Sequence, residues 1–270
     1  MIGMLHRFAD FPSEFVIPRN IDVWLPPQYE AELERPFPVL YMHDGQNLFE
    51  PATSTLGIDW GVDEALVRLV DEGKVPPTIV VGLWSTERRW LEYLPQKPLV
   101  GHAELRTSLQ EEHGGEVVSD AYLRCLVEEV KPFIDDRYRT LTDRGHTFVM
   151  GSSMGGLISL YALCEYPETF AGAGCLSSHW PSVGAEVMVG YLRDHLPRPG
   201  THKIYFDYGT ETLDAHYEPH QQQVDALMRA LGYEEEEDWV TLKFPGAGHS
   251  ERAWRARVEI PLEFLLGDLS

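Results

Sequence analysis

One stretch, Thr147-Phe-Val-Met-Gly-Ser-Ser-Met-Gly-Gly-Leu-Ile-Ser-Leu-Tyr161, restricts the possible folds of this chain more than any other. A short apolar run ends in Gly-x-Ser-x-Gly and passes at once into an apolar helical pattern, which predicts a strand, a tight turn and a helix. The frame selects Ser153. Its neighbours two positions either side are Gly151 and Gly155, whereas Ser152 has Met150 and Met154 there, and their side chains would collide where the turn is tightest. A serine raised on such a turn above a sheet is a candidate nucleophile.

The rest of the chain alternates in the same way. Two short β runs within Glu14–Pro27 predict an antiparallel edge bounded by prolines. Phe37–Met42 reads as a buried strand, Trp60–Gly73 as a helix stopped by glycine, and Pro76–Trp84 as a further strand. Ser85–Gly115 is less regular and follows a strand end, the place where open α/β sheets take ligands. Val117–Tyr138 is helical in pattern, Phe170–Pro181 is a small-residue strand leading into a polar and aromatic loop, and Val183–Leu196 reads as a helix. Lys203–Tyr208 and Trp239–Phe244 are strands, with a helix from Pro219 to Gly232 between them and a closing helix over Trp254–Leu266. The sum is an α/β fold, a mostly parallel central sheet with helices on both faces, in one domain over 1–270 with no repeat or linker.

Composition removes several classes of function. A formal net charge of -21 opposes a nucleic-acid or anionic-membrane surface, since both demand basic patches. No apolar span approaches membrane length and the first residues lack a secretory pattern, so the expected location is cytoplasmic. Cys125, Cys164 and Cys175 have no metal spacing and read as buried thiols. Oligomeric state is not legible.

A serine hydroxyl is a weak nucleophile until a base takes its proton, so the turn predicts a downstream histidine with an acid between them. His249 follows the last strand in a loop whose Gly246 and Gly248 permit close approach. The acid belongs in the loop after Tyr208, where Glu211 and Asp214 both qualify; Asp214 lies deeper and is slightly preferred. Backbone N–H groups must hold the developing oxyanion: that of Met154, after the nucleophile, and one from the loop after the early strand, Gln46 first and Gly45 next. His43 and Asp44 have no spaced partner for a metal, and neither metal nor cofactor is expected. Trp84, Arg89, Trp90, Tyr93, His179 and Trp180 fall on strand-end loops as candidate walls of a substrate pocket.

Taken together, Tyr41-Met-His-Asp-Gly-Gln-Asn-Leu-Phe49, Gly151-Ser-Ser-Met-Gly-Gly156 and Gly248-His-Ser-Glu-Arg-Ala-Trp254 resemble the putative-esterase group of α/β-hydrolases, which includes enterochelin, feruloyl and acetylxylan esterases and esterase D. The resemblance runs from about Val39 to Leu266. It implies an α/β-hydrolase fold, Ser153 as nucleophile, His249 as base and an oxyanion donor at Gln46. Many relatives carry the acid three residues after the strand-end glycine, which here is Thr212, leaving Glu211, Asp214 and a Ser-His dyad all open. The implied activity is serine carboxylic-ester hydrolysis of a small-molecule ester through an acyl-enzyme. An acyltransferase would use the same residues, and a non-catalytic binding module the same scaffold. Arg88 and Arg89 form the one compact basic pair near the site, the feature an anionic siderophore would need.

Overall fold

The computed structural model describes residues 2–269. Its centre is an eight-stranded sheet: β1 (Met4–Phe11), β2 (Arg19–Leu25), β3 (Val39–His43), β4 (Ile79–Leu83), β5 (Thr147–Ser152), β6 (Gly172–Leu176), β7 (Lys203–Gly209) and β8 (Trp239–Phe244). The spatial order is β1-β2-β4-β3-β5-β6-β7-β8. β1, β2 and β4 pair antiparallel, and every pairing from β4 through β3 to β8 is parallel. The apolar runs of β3, β4, β5 and β6 are buried throughout because helices cover both faces of the parallel part. Two cores result. One lies under the helix Met154–Glu165 and its neighbours, and the other lies against the helices Val62–Asp71 and Glu259–Leu266 on the opposite face.

The structure departs from the sequence reading in four places. The edge strand is Met4–Phe11; the Glu14–Val16 run lies in the connection to β2, where Pro12 and Pro18 withhold ladder donors. Ser85–Gly115 contains helices at Arg89–Tyr93 and Ala103–His113, the latter masked in the sequence by its weak apolar stripe. Val117–Tyr138 contains a π-helical turn over Cys125–Val130, immediately before Pro132, whose missing N–H cannot continue the regular ladder. The closing helix is two, Glu251–Arg255 and Glu259–Leu266, with a break ahead of Pro261.

Parallel strands place their carboxyl ends along one rim of the sheet, and the register fixes which side chains meet there. Ser152 pairs with Leu176, Leu176 with Asp207, and Gly209 with Phe244. The turns that follow β3, β5, β6, β7 and β8 therefore converge. Among the described residues, no helix is long and apolar enough to cross a membrane.

Candidate active site

The bend after β5 takes the strained conformation that its glycines permit. Ser153 has φ 59° and ψ -122°, a region that costs a residue with a side chain on the order of 1–3 kcal/mol. A Cβ on Gly151 would lie 2.8 Å from the backbone of Gly155, so Gly151 must lack a side chain for strand and helix to approach this closely. The serine is held by its own main chain, its N–H donating to the carbonyl of Leu176 at 2.9 Å. Met154 opens the helix that follows, so its N–H has no intrahelical acceptor.

Across the rim, Nδ1 of His249 is 2.6 Å from Oδ1 of Asp214. Asp214 is buried at 1% exposure, and its other oxygen accepts from Ser177 Oγ at 2.6 Å and from the Gly209 N–H at 2.7 Å. Burial pushes this carboxyl up, but the donors from His249, Ser177 and Gly209 outweigh it, and the group stays below the usual Asp range. An ionised carboxylate only accepts, so Nδ1 carries the proton and Nε2 is left as the basic nitrogen. Tyr217 and Trp254 clasp the ring edge to face, at 5.7 and 4.9 Å. Glu211, the rival acid, is exposed at the start of the Thr212–His216 turn and makes no contact with the imidazole. Thr212, where many relatives have the acid, instead accepts from the His249 N–H at 2.7 Å.

Residues that the sequence pattern did not signal brace the acid from behind. Ser177, itself at φ 43°, accepts from Trp254 Nε1 and from Arg257 Nη2. Arg257 forks onto Asp207 with both bonds at 2.9 Å, and this pair is almost fully buried. Asp207 and Arg257 are 50 residues apart in the chain, so no local pattern signals their pairing.

On the opposite side, Asp44 adopts φ 56° and starts the single turn Gly45–Asn47. A Cβ on Gly45 would approach Gly82 to 2.5 Å, which presses this turn against β4. The Gln46 side chain locks it from above: Nε2 donates to Ser85 Oγ at 2.7 Å, and Oε1 accepts from the Ser85 N–H at 3.1 Å. His43 and Asp44 have protein partners rather than a metal arrangement. His43 Nδ1 lies 2.7 Å from Tyr122 Oη, and burial drives its pKa down to about 3. Asp44 takes a two-point fork from Arg89 at 2.7 and 2.8 Å. Burial would raise the Asp44 pKa, and Arg89 overrides it, so the carboxyl is lowered.

Ser153, His249, Gln46, Ser85, Arg89 and Asp44 share the lining of one cavity of about 470 Å³ with Asn47, Thr55, Leu56, Ser152, Glu251 and Trp254. Of the six expected wall residues only Arg89 is in this lining; the other five, His179 among them, lie outside it. Trp84 donates from Nε1 to Asp22 and is covered by Arg7. Tyr93 is fully buried, with its hydroxyl accepting from the Asp44 N–H and its ring under Arg89. Trp180 is a core residue bonded to Gln221. Trp90, 38% exposed, stacks on His113 and meets His179 edge to face beyond the cavity lining. His179 lies 2.6 Å from Tyr217 Oη, and burial, followed by His249 and Arg89, pushes its pKa down to about 4. Arg88 is exposed and outside the lining, so the basic pair of the sequence supplies one cation to the site. Glu251 and Asn47 belonged to the motifs that carried the resemblance, although neither had been given a role.

This sheet order, with a strained serine above β5 and an imidazole after β8, defines the class of an ester hydrolase on the α/β-hydrolase fold. The chain belongs to the family described as "Putative esterase", whose model matches residues 14–260. It is 25% identical over 258 residues to the uncharacterized protein YbbA of Bacillus subtilis (strain 168), covering 92% of this chain and 93% of that one. It is 28% identical over 155 residues to the ferri-bacillibactin esterase BesA of the same organism, covering 53% of this chain and 49% of the relative. Among solved structures, a ferulic acid esterase superposes with a TM-score of 0.71 at 18% identity over 97% of this chain and 98% of the other. The enterobactin esterase FES from Shigella flexneri, solved with enterobactin, reaches 0.71 at 17% identity, over 96% of this chain and 58% of the other. These superpositions share the α/β-hydrolase fold.

Proposed function

We propose that the protein is a serine carboxylesterase in which Ser153, His249 and Asp214 act as a triad within one catalytic domain. The observation that carries this reading is the short contact between the buried Asp214 carboxylate and His249 Nδ1, in the wall of the cavity that Ser153 also lines. His249 Nε2 takes the Ser153 proton as the hydroxyl attacks the ester carbonyl, and Asp214 stabilises the imidazolium that forms. The N–H groups of Met154 and Gln46 receive the oxyanion, each contributing on the order of 10²–10³ in turnover. His249 then protonates the leaving alkoxide. Water, activated by the same nitrogen, releases the acyl group. Three free, buried cysteines fit the cytoplasmic setting proposed for the chain.

The test is Ser153→Ala assayed on p-nitrophenyl acetate, together with fluorophosphonate labelling of the native protein, which should react, and of the variant. Loss of both turnover and label, in a protein whose circular dichroism is unchanged, supports the reading. Unchanged turnover in the alanine variant refutes it.

A further inference from the structure

The charges around the cavity do not balance. Among the described residues Arg89 is the one arginine or lysine in the lining, and its guanidinium is already engaged by Asp44 through two bonds. Burial lowers the Arg89 pKa, Asp44 raises it by more, and Glu251 adds a smaller pull in the same direction, so the cation stays charged and committed. That leaves Glu251. It is 9% exposed, lines the same cavity as Ser153 and His249, and has no hydrogen bond or ion pair from its carboxylate among the described residues. Its own helix accounts for its place, since it opens Glu251–Arg255 directly after His249 and Ser250. Its neighbour Ser250 caps that helix by accepting from the Ala253 N–H, so Glu251 is not needed for the cap.

The carboxylate faces the cavity without a donor from the protein, so a ligand group that brings a donor or a positive charge gains a charge-assisted bond there. An anionic ligand does the reverse, because it adds a second uncompensated negative charge to a confined space. The chain as a whole carries -21, which adds a long-range field of the same sign.

Building on the esterase reading above, we propose that Glu251 is a charge-selecting residue and that the site takes esters bearing a cationic, ammonium-type group in preference to anionic ones. The Arg89–Asp44 pair then serves as a neutral wall that braces the turn carrying Gln46, instead of a receptor for an acidic substrate. An anionic siderophore ester would find no free cation in the lining.

Three acetyl thioesters of similar size test this: acetylthiocholine (cationic), 3,3-dimethylbutyl thioacetate (neutral) and S-acetyl-3-mercaptopropionate (anionic). Each consumes one water and releases acetate and a thiol, which is read with a thiol reagent. The expected kcat/KM order is cation above neutral above anion, with the outer two separated by on the order of ten- to a hundred-fold at low salt. Glu251→Gln should collapse that ratio towards one. In the native protein, raising ionic strength should compress it, a second readout that does not depend on the variant folding. A preference for the anion, or a cation-to-anion ratio in the glutamine variant unchanged from the native protein, overturns charge selection while leaving the esterase reading intact. If none of the three thioesters is turned over, the esterase reading itself falls and takes this inference with it.

Discussion

Asp214 reaches His249 at 2.6 Å from a loop, while Glu211, three residues earlier and nearer the strand, is turned out to solvent. The difference comes from the 3₁₀ turn over Thr212–His216, in which Thr212 takes φ 56° and its hydroxyl holds the His249 backbone. The loop spends its first residues on gripping the histidine and delivers the carboxylate only afterwards. Gly209 allows this, since a Cβ there would lie 2.1 Å from the carbonyl oxygen of Ala247.

Substituting the two carboxylates separates their roles. Asp214→Asn should lower kcat by roughly 10²–10⁴, because the amide can present its N–H to Nδ1 and favour the unproductive tautomer. Glu211→Gln should stay within about twofold, as expected for an exposed side chain away from the imidazole. Comparable losses from both would remove the preference for Asp214.

The turn carrying Gln46 tolerates no side chain where it crosses β4. Gly45→Ala places a Cβ 2.5 Å from the Gly82 carbonyl, which must shift the turn and with it the oxyanion donor. Turnover of p-nitrophenyl acetate should fall by about 10²–10³ with the acyl-binding part of KM much less affected. Wild-type kcat in this variant would show that the donor lies elsewhere.

Beneath the acid, removing one member of a buried ion pair should cost more than removing both. Arg257→Met leaves Asp207 buried without its ion partner, with an expected loss of about 3–5 kcal/mol in urea unfolding. Adding Asp207→Asn to the same protein should recover a large part of that loss. If the double variant is no more stable than the single one, the two side chains are not energetically coupled.

His43 makes stability pH-dependent in a direction that follows from its depressed pKa. The folded protein keeps this imidazole neutral down to about 3, whereas the unfolded chain protonates it near the ordinary histidine value. The unfolded state therefore binds more protons over that window. Stability is fully present above about pH 6.5 and falls as pH is lowered, by roughly 1.4 kcal/mol per unit attributable to this residue. Urea midpoints at pH 7 and pH 5 should show the fall, and His43→Phe should reduce its slope even though Tyr122 loses a partner. An unchanged slope in the phenylalanine variant would assign the effect to other groups.

The elbow at Ser153, the histidine after the last strand and the layered α/β order could be read from residues that lie next to one another in the chain. Glycines that permit a forbidden bend, apolar runs of strand length and helical periodicity are local properties, and local conformation follows them directly. Trp84, Tyr93 and Trp180 misled because a strand-end aromatic has the same signature whether its ring faces a cavity or fills the core, and only packing separates the two. The pairing of Arg89 with Asp44, the support of Asp214 by Ser177 and Arg257, and the choice of Asp214 over Glu211 join residues 30 or more positions apart. Such contacts depend on strand register and on which loop turns inward, quantities set by the whole sheet and written in no single segment of the sequence.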